Sequence, residues 1–122
     1  MAWKIDDSRP IYIQLMEIIQ TDIISGKYQI GDKLPSVRDL AIQASVNPNT
    51  MQKALAELEQ MELVYSQRTS GRFITLDKTK IQQLRRKLAI TFTEEYATKM
   101  KQVGFDDVEL LSFVTKKLKG EL

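Results

Sequence analysis

Ser45-Val46-Asn47-Pro48-Asn49-Thr50-Met51-Gln52-Lys53-Ala54-Leu55 contains the sharpest helix start in the chain. Asn47 has the short polar side chain of an N-cap. Pro48 follows at the first helical position, where the N–H it lacks would have found no partner inside the helix. Behind this start Met51, Ala54, Leu55, Leu58 and Met61 recur at helical spacing and form one apolar face. Upstream, Leu34-Pro35-Ser36-Val37-Arg38-Asp39-Leu40-Ala41 contains a second start. Pro35 keeps Leu34 extended, and Ser36 with Asp39 gives Ser-x-x-Asp, close to a capping box. Val37, Leu40 and Ala41 give this helix its apolar face, and it ends near Ala44. Two helices joined by only Ser45-Val46-Asn47, the second entered so abruptly, form a helix-turn-helix.

The flanking sequence completes a recognisable unit. Residues 10–25 read as an amphipathic helix. Pro10 suits its first position, Ile11, Leu15, Ile18, Ile19 and Ile23 line one side, and Gln14, Glu17, Gln20 and Asp22 lie between them. It stops at Ser25-Gly26, and Tyr28-Gln29-Ile30-Gly31-Asp32 reads as a connector. After the third helix, Leu63-Val64-Tyr65-Ser66 and Arg72-Phe73-Ile74-Thr75-Leu76 are β-prone runs separated by Gln67-Arg68-Thr69-Ser70-Gly71, a hairpin in the position of a wing. Beyond Asp77 a long helix carries Ile81, Leu84, Leu88, Phe92, Tyr96 and Met100 down one side until Gly104. A last helix starts at Asp106, whose pairing with Glu109 resembles a capping box. It carries Val108, Leu111, Val114 and Leu118, and ends among Lys116, Lys117 and Lys119 before Gly120. The fold expected is mainly α with a small β-hairpin: a winged helix-turn-helix over residues 1–76, then a two-helix dimerisation segment over 77–122.

Composition narrows the chemistry. In 122 residues the chain has no cysteine and no histidine, so a disulfide framework, a thiolate nucleophile, a Cys/His zinc site and an imidazole base are excluded. No paired-carboxylate or phosphate-loop pattern appears, and the five glycines never cluster. An enzyme is therefore the least favoured class; no catalytic residue, metal or cofactor is expected. No apolar run approaches the roughly 18 residues of a membrane span. Met1-Ala2-Trp3-Lys4-Ile5-Asp6-Asp7 lacks the apolar stretch of a signal peptide, so a cytoplasmic protein is expected. With 18 basic and 16 acidic side chains the net charge is +2, and residues 1–76 hold eight basic against nine acidic. Affinity for a polyanion must come from where the charges stand rather than from their sum.

Their placement suits double-stranded DNA. A helix-turn-helix sets the N-terminal end of its second helix in the major groove. That end here is Asn47-Pro48-Asn49-Thr50, then Gln52 and Lys53, with no carboxylate before Glu57. Asn and Gln amides match the paired donor and acceptor of adenine, whereas Lys53 suits a phosphate or a guanine edge. The plainer reading is that Asn47 only caps and that Asn49, Gln52 and Lys53 form a solvated face. Arg38, Arg68 and Arg72 can clamp flanking phosphates, with Arg68 reaching the minor groove, or can simply pair with Asp39 or water. Ser36 serves as a cap and also presents a hydroxyl beside a helix N-terminus where a phosphate can sit.

Taken together, Leu34-Pro35-Ser36-Val37-Arg38-Asp39-Leu40-Ala41, Val46-Asn47-Pro48-Asn49-Thr50-Met51-Gln52-Lys53-Ala54-Leu55 and Leu58-Glu59 resemble the DNA-binding domain of GntR-family transcription regulators. The Asn-Pro-Asn-Thr start and the short tail look most like its YtrA-type subfamily. The resemblance covers residues 8–76 in detail. It implies a winged helix that binds an operator as a homodimer, usually as a repressor and often at promoters of transporter genes. By motif position, the DNA contacts implied are Ser36, Arg38, Asn49, Thr50, Gln52 or Lys53, and the wing at Arg68 and Gly71. Two departures stand out: Glu62 occupies the usual glycine after the recognition helix, and Thr69 the first of two wing glycines. A non-glycine residue held at positive φ costs on the order of 1 kcal/mol.

Only 46 residues follow Leu76, too few for the large effector-binding or aminotransferase-like domains of other family members, so an effector is left open. The stripe of Leu84, Leu88, Phe92 and Tyr96, with Leu111 and Val114, cannot be fully buried by a two-helix tail on itself and is expected at a homodimer interface. The competing class is a winged helix used as a protein-interaction module. The charge of residues 1–76 favours it slightly. The polar stretch Asn47–Lys53 disfavours it, because protein hot spots are rich in buried aromatics.

Overall fold

The computed structural model describes residues 3–122. Met1 and Ala2, where the N-terminal stretch read for a signal peptide begins, lie outside the described residues. The elements run α1 (Ile11–Ile24), α2 (Val37–Ala44), α3 (Pro48–Gln60), β1 (Val64–Gln67), β2 (Gly71–Ile74), α4 (Lys78–Gln102) and α5 (Asp107–Leu118). This is a winged helix-turn-helix followed by two helices. The chain divides into two compact units, Met1–Leu84 and Arg85–Leu122, with the division inside α4 and beyond Leu76. No helix among the described residues is long and apolar enough to cross a membrane.

In the first unit α1 and α2 both pack on α3, and β1 follows α3 directly. The core is built from Leu15, Ile19 and Ile23 of α1, Leu40, Ala41 and Ala44 of α2, and Met51, Ala54, Leu55 and Leu58 of α3. Leu34, Leu63, Val64, Ile74 and Leu84 close it. Each fully buried Leu, Ile or Met side chain in such a core contributes roughly 1.5–3 kcal/mol relative to exposure. Met61, expected on the apolar face of α3, is exposed beyond its last turn, and Ile11 is exposed at the start of α1. At these helix ends the periodic position persists while full burial does not.

Helix α1 starts one residue later than expected, with Pro10 extended at ψ 135 as its N-cap. Gln14 and Gln20, read as polar-side residues, are buried. Gln14 clamps the N-terminal arm: its Nε2 donates to the carbonyls of Asp6 at 2.9 Å and Arg9 at 2.8 Å, and its Oε1 accepts from the Asp6 N–H at 3.0 Å. Gln20 Nε2 donates toward Met61 Sδ at 3.6 Å. Both amides are satisfied, which is what permits a polar group in a core.

The hairpin pairs Val64 with Ile74, Tyr65 with Phe73, Ser66 with Arg72 and Gln67 with Gly71. Both strands sit about one residue from the expected spans, and Thr75 N–H to Leu63 carbonyl adds a rung. The Tyr65 and Phe73 rings stack with centroids 5.7 Å apart. The connector is more ordered than its sequence suggests. Gly31 donates to the Ile74 carbonyl, Ile74 to Asp32, and Leu34 to Arg72, so residues 31–34 run along the free edge of β2.

In the second unit α5 begins with the expected capping box, Asp106 accepting from Glu109 N–H and Glu109 reaching back to Asp106 N–H. Phe105 and Phe113 meet edge to face at 5.3 Å. No residue of α5 is buried, and the one buried residue of α4, Leu84, belongs to the first unit.

Candidate nucleic-acid interface

The helix-turn-helix is built by local chemistry. Ser36 Oγ accepts from the Asp39 N–H at 3.1 Å and starts α2. At its end Ser45 takes a left-handed conformation, φ 56, and the Val46 N–H returns to the Ala41 carbonyl at 3.0 Å, a Schellman-type closure with serine where glycine is usual. The chain then turns straight into Asn47, whose Oδ1 accepts from Asn49 N–H at 2.8 Å. Asn47, Asn49, Gln52 and Lys53 are exposed and Thr50 half-buried, while Met51, Ala54 and Leu55 face the core. Asn47 therefore does cap, and its backbone position also fixes the exposed polar residues behind it.

Between the start of α2 and the wing lies an open groove of about 860 Å³ lined by Lys33, Ser36, Asp39 and the whole turn Ser66–Arg72. It brings Ser36, Arg68 and Gly71 together. Asn47, Asn49, Thr50, Gln52 and Lys53 form a separate cluster on α3, and Arg38 is exposed on α2; none of these six lines the groove. Arg38 forms no ion pair with Asp39 among the described residues. Gly71 has φ 106, and a Cβ there would stand 3.3 Å from Lys33 Cε. Lys33, between the connector and α2, is thus a groove cation with no local signal in the sequence to single it out.

Arg72 departs from expectation. Its Nε binds Glu59 Oε1 at 3.1 Å, a carboxylate that also accepts from the Ser66 hydroxyl, and it is committed to tying α3 to the wing. Glu62 binds Lys80 at 2.8 Å, and that hydrogen bond holds the Lys80 ammonium above the ordinary lysine range. Glu59 of α3 and Glu62 just beyond its end are in this way matched by cations, while Glu57 forms no ion pair among the described residues. Of the two departures from family pattern, Glu62 does sit at φ 60, closing α3 through Leu63 N–H to the Leu58 carbonyl, whereas Thr69 needs no left-handed backbone.

Comparison with known proteins agrees with this geometry. Residues 11–74 match the family model of bacterial regulatory proteins, gntR family. The chain is 36% identical over 108 residues to the uncharacterized HTH-type transcriptional regulator YhcF of Bacillus subtilis (strain 168), covering 88% of this chain and 89% of that protein. It is 41% identical over 68 residues to the HTH-type transcriptional repressor YtrA of the same organism, covering 56% and 52%. A solved GntR family transcriptional regulator from Listeria monocytogenes superposes with a TM-score of 0.85 at 43% identity, covering 92% of this chain and 98% of that one. The chain belongs to the GntR family of DNA-binding transcription regulators, and YtrA is among its relatives.

Proposed function

We propose that the protein is a cytoplasmic, sequence-specific repressor that binds a two-fold operator as a homodimer. The observation that supports it most is the carboxylate-free stretch Asn47–Lys53 at the start of α3, exposed at Asn47, Asn49, Gln52 and Lys53, with Glu59 and Glu62 of the distal end tied to Arg72 and Lys80. Asn49, Thr50 and Gln52 read base edges. Ser36, Arg38, Lys53, Arg68 and the Gly71 backbone position the duplex through phosphates, with Arg68 at the minor groove. Asn47 organises the reading end through its cap. Residues 1–76 carry DNA binding and 77–122 carry assembly.

The repressor role follows the likeness to YtrA, a named repressor, and a promoter serving transporter genes follows the resemblance to the YtrA-type subfamily. Dimerisation is supported by the apolar side chains that one chain leaves uncovered: Phe92 is 57% and Leu111 66% exposed, Tyr96 is also exposed, and Leu88 and Val114 are half-buried. Leu84 is already packed in the first unit and needs no partner. Two recognition helices then meet half-sites centred about 34 Å apart, or a multiple of it.

Fluorescence anisotropy with DNA from upstream of the protein's own gene and with a scrambled duplex, from about 50 to 200 mM salt, tests the reading. The native duplex is expected to stay bound as salt rises while the scrambled one is released. Arg38→Ala should weaken binding to both and flatten the salt dependence, and Asn49→Ala should relax discrimination at one base pair per half-site. Unchanged affinity and selectivity in both variants would remove this face from the interface. No binding of wild-type protein even at low salt would favour a protein-interaction module.

A further inference from the structure

The ammonium of Lys53 stands 4.0 Å from the centre of the Tyr12 ring, well inside the range of about 6 Å over which a cation is drawn to an aromatic face. Tyr12 lies on α1, where Leu15 and Ile19, three and seven residues on, are fully buried against the core. Its backbone is therefore fixed relative to α3, on which α1 packs. Lys53 has a carboxylate one helical turn away in Glu57, within reach although in the weaker Lys-to-Glu order. No Lys53–Glu57 pair forms among the described residues; the ammonium turns to the ring instead.

We propose that Tyr12 is a positioning residue of the DNA interface, whose ring holds the Lys53 ammonium on the α1 flank of α3 to meet a backbone phosphate, leaving base reading to Asn49 and Gln52. The inference rests on the DNA-binding reading above. A ring occupies only one side of an ammonium and accepts no full hydrogen bond from it, so the N–H donors remain available to a phosphate oxygen. A free lysine loses the freedom of a long, flexible stem when it makes such a contact; one already held in place loses less. On this proposal Lys53, held against a ring of α1, serves a phosphate rather than a guanine edge.

Phosphate contacts carry no sequence information, so the test does not require the operator. The full chain as Tyr12→Leu, Tyr12→Phe, Lys53→Ala and the Tyr12→Leu/Lys53→Ala double variant is titrated against the scrambled and the upstream duplex by anisotropy. Tyr12→Leu should weaken binding to both by one common factor of about two to five, at an unchanged salt slope because the ammonium remains. Tyr12→Phe should bind as wild type. Lys53→Ala should lower the magnitude of the salt slope by about 0.9, and adding Tyr12→Leu to it should change nothing further. In the free protein, NMR should show the ε-methylene protons of Lys53 shifted upfield by the ring, and at ordinary positions in Tyr12→Leu.

An equal loss from Tyr12→Leu in the Lys53→Ala background, a loss in Tyr12→Phe matching that in Tyr12→Leu, or no loss in Tyr12→Leu would each overturn the proposal. Failure confined to the Tyr12 variants leaves the DNA-binding reading intact; failure of the wild type to bind either duplex at low salt removes both.

Discussion

Ser45 and Glu62 hold left-handed backbone, φ 56 and 60, at the ends of α2 and α3. Glu62 was marked by its departure from a family glycine; Ser45 was not, because nothing in its neighbourhood distinguishes a left-handed serine from one in an ordinary turn. Glu62→Gly should be more stable than Glu62→Ala by about 1 kcal/mol in urea unfolding, since both lose the exposed Lys80 contact and only glycine relieves the strain. Equal stability would mean that the closure of α3 stores no strain. Gln14 shows a different limit. Its amide is buried because the backbone of Asp6 and Arg9 comes to it, a contact that the helical periodicity of residues 10–25 does not encode. Gln14→Leu should lower stability by about 1–3 kcal/mol, leaving the arm's backbone groups without partners, and should make the arm an early site of proteolysis. Intact resistance to protease would place the anchor of the arm elsewhere. Arg72 was legible as a wing cation but not as the partner of Glu59, thirteen positions earlier, since an ion pair across that separation exists only once the hairpin folds back.

At the scale of elements, reading succeeded where the deciding chemistry is local. The start of α3 is encoded by three adjacent residues, and the start of α5 by Asp106 and Glu109, so both appear in the chain as soon as side-chain capping is considered. Asn47→Ala should cost about 1 kcal/mol through loss of the cap on Asn49 N–H. It should also weaken operator binding more than scrambled-duplex binding, because the base-reading residues sit in the turn that frays. A loss of stability with full retention of selectivity would confine Asn47 to a structural role. The strip at residues 31–34 escaped because it has one bridge, a glycine and no alternating pattern; only β2, lying alongside, makes it strand-like. That same strip delivers Lys33 to the groove, so the missed element and the missed cation have one cause.

At the scale of the molecule, the first unit closes its own core while the second buries nothing of α5. The stripe along α4 was legible as apolar at helical spacing, but spacing does not say which part packs within the chain; Leu84 does, whereas Phe92 and Tyr96 remain exposed. For the proposed homodimer, Leu88→Asp should halve the mass seen by light scattering by setting a charge in the expected seam, with the melting of the first unit unchanged. A variant still dimeric would move the seam off this stripe. The bare flank of α5 carries a further consequence for regulation. Protomers that complete each other's hydrophobic cover assemble by mass action, so at low abundance the number of operator-competent pairs rises with the square of protomer number. Halving the protomer concentration, as one doubling of cell volume without new synthesis does, would then leave a quarter of the pair concentration, and the controlled promoter would sense dilution more steeply than any single-protomer switch could.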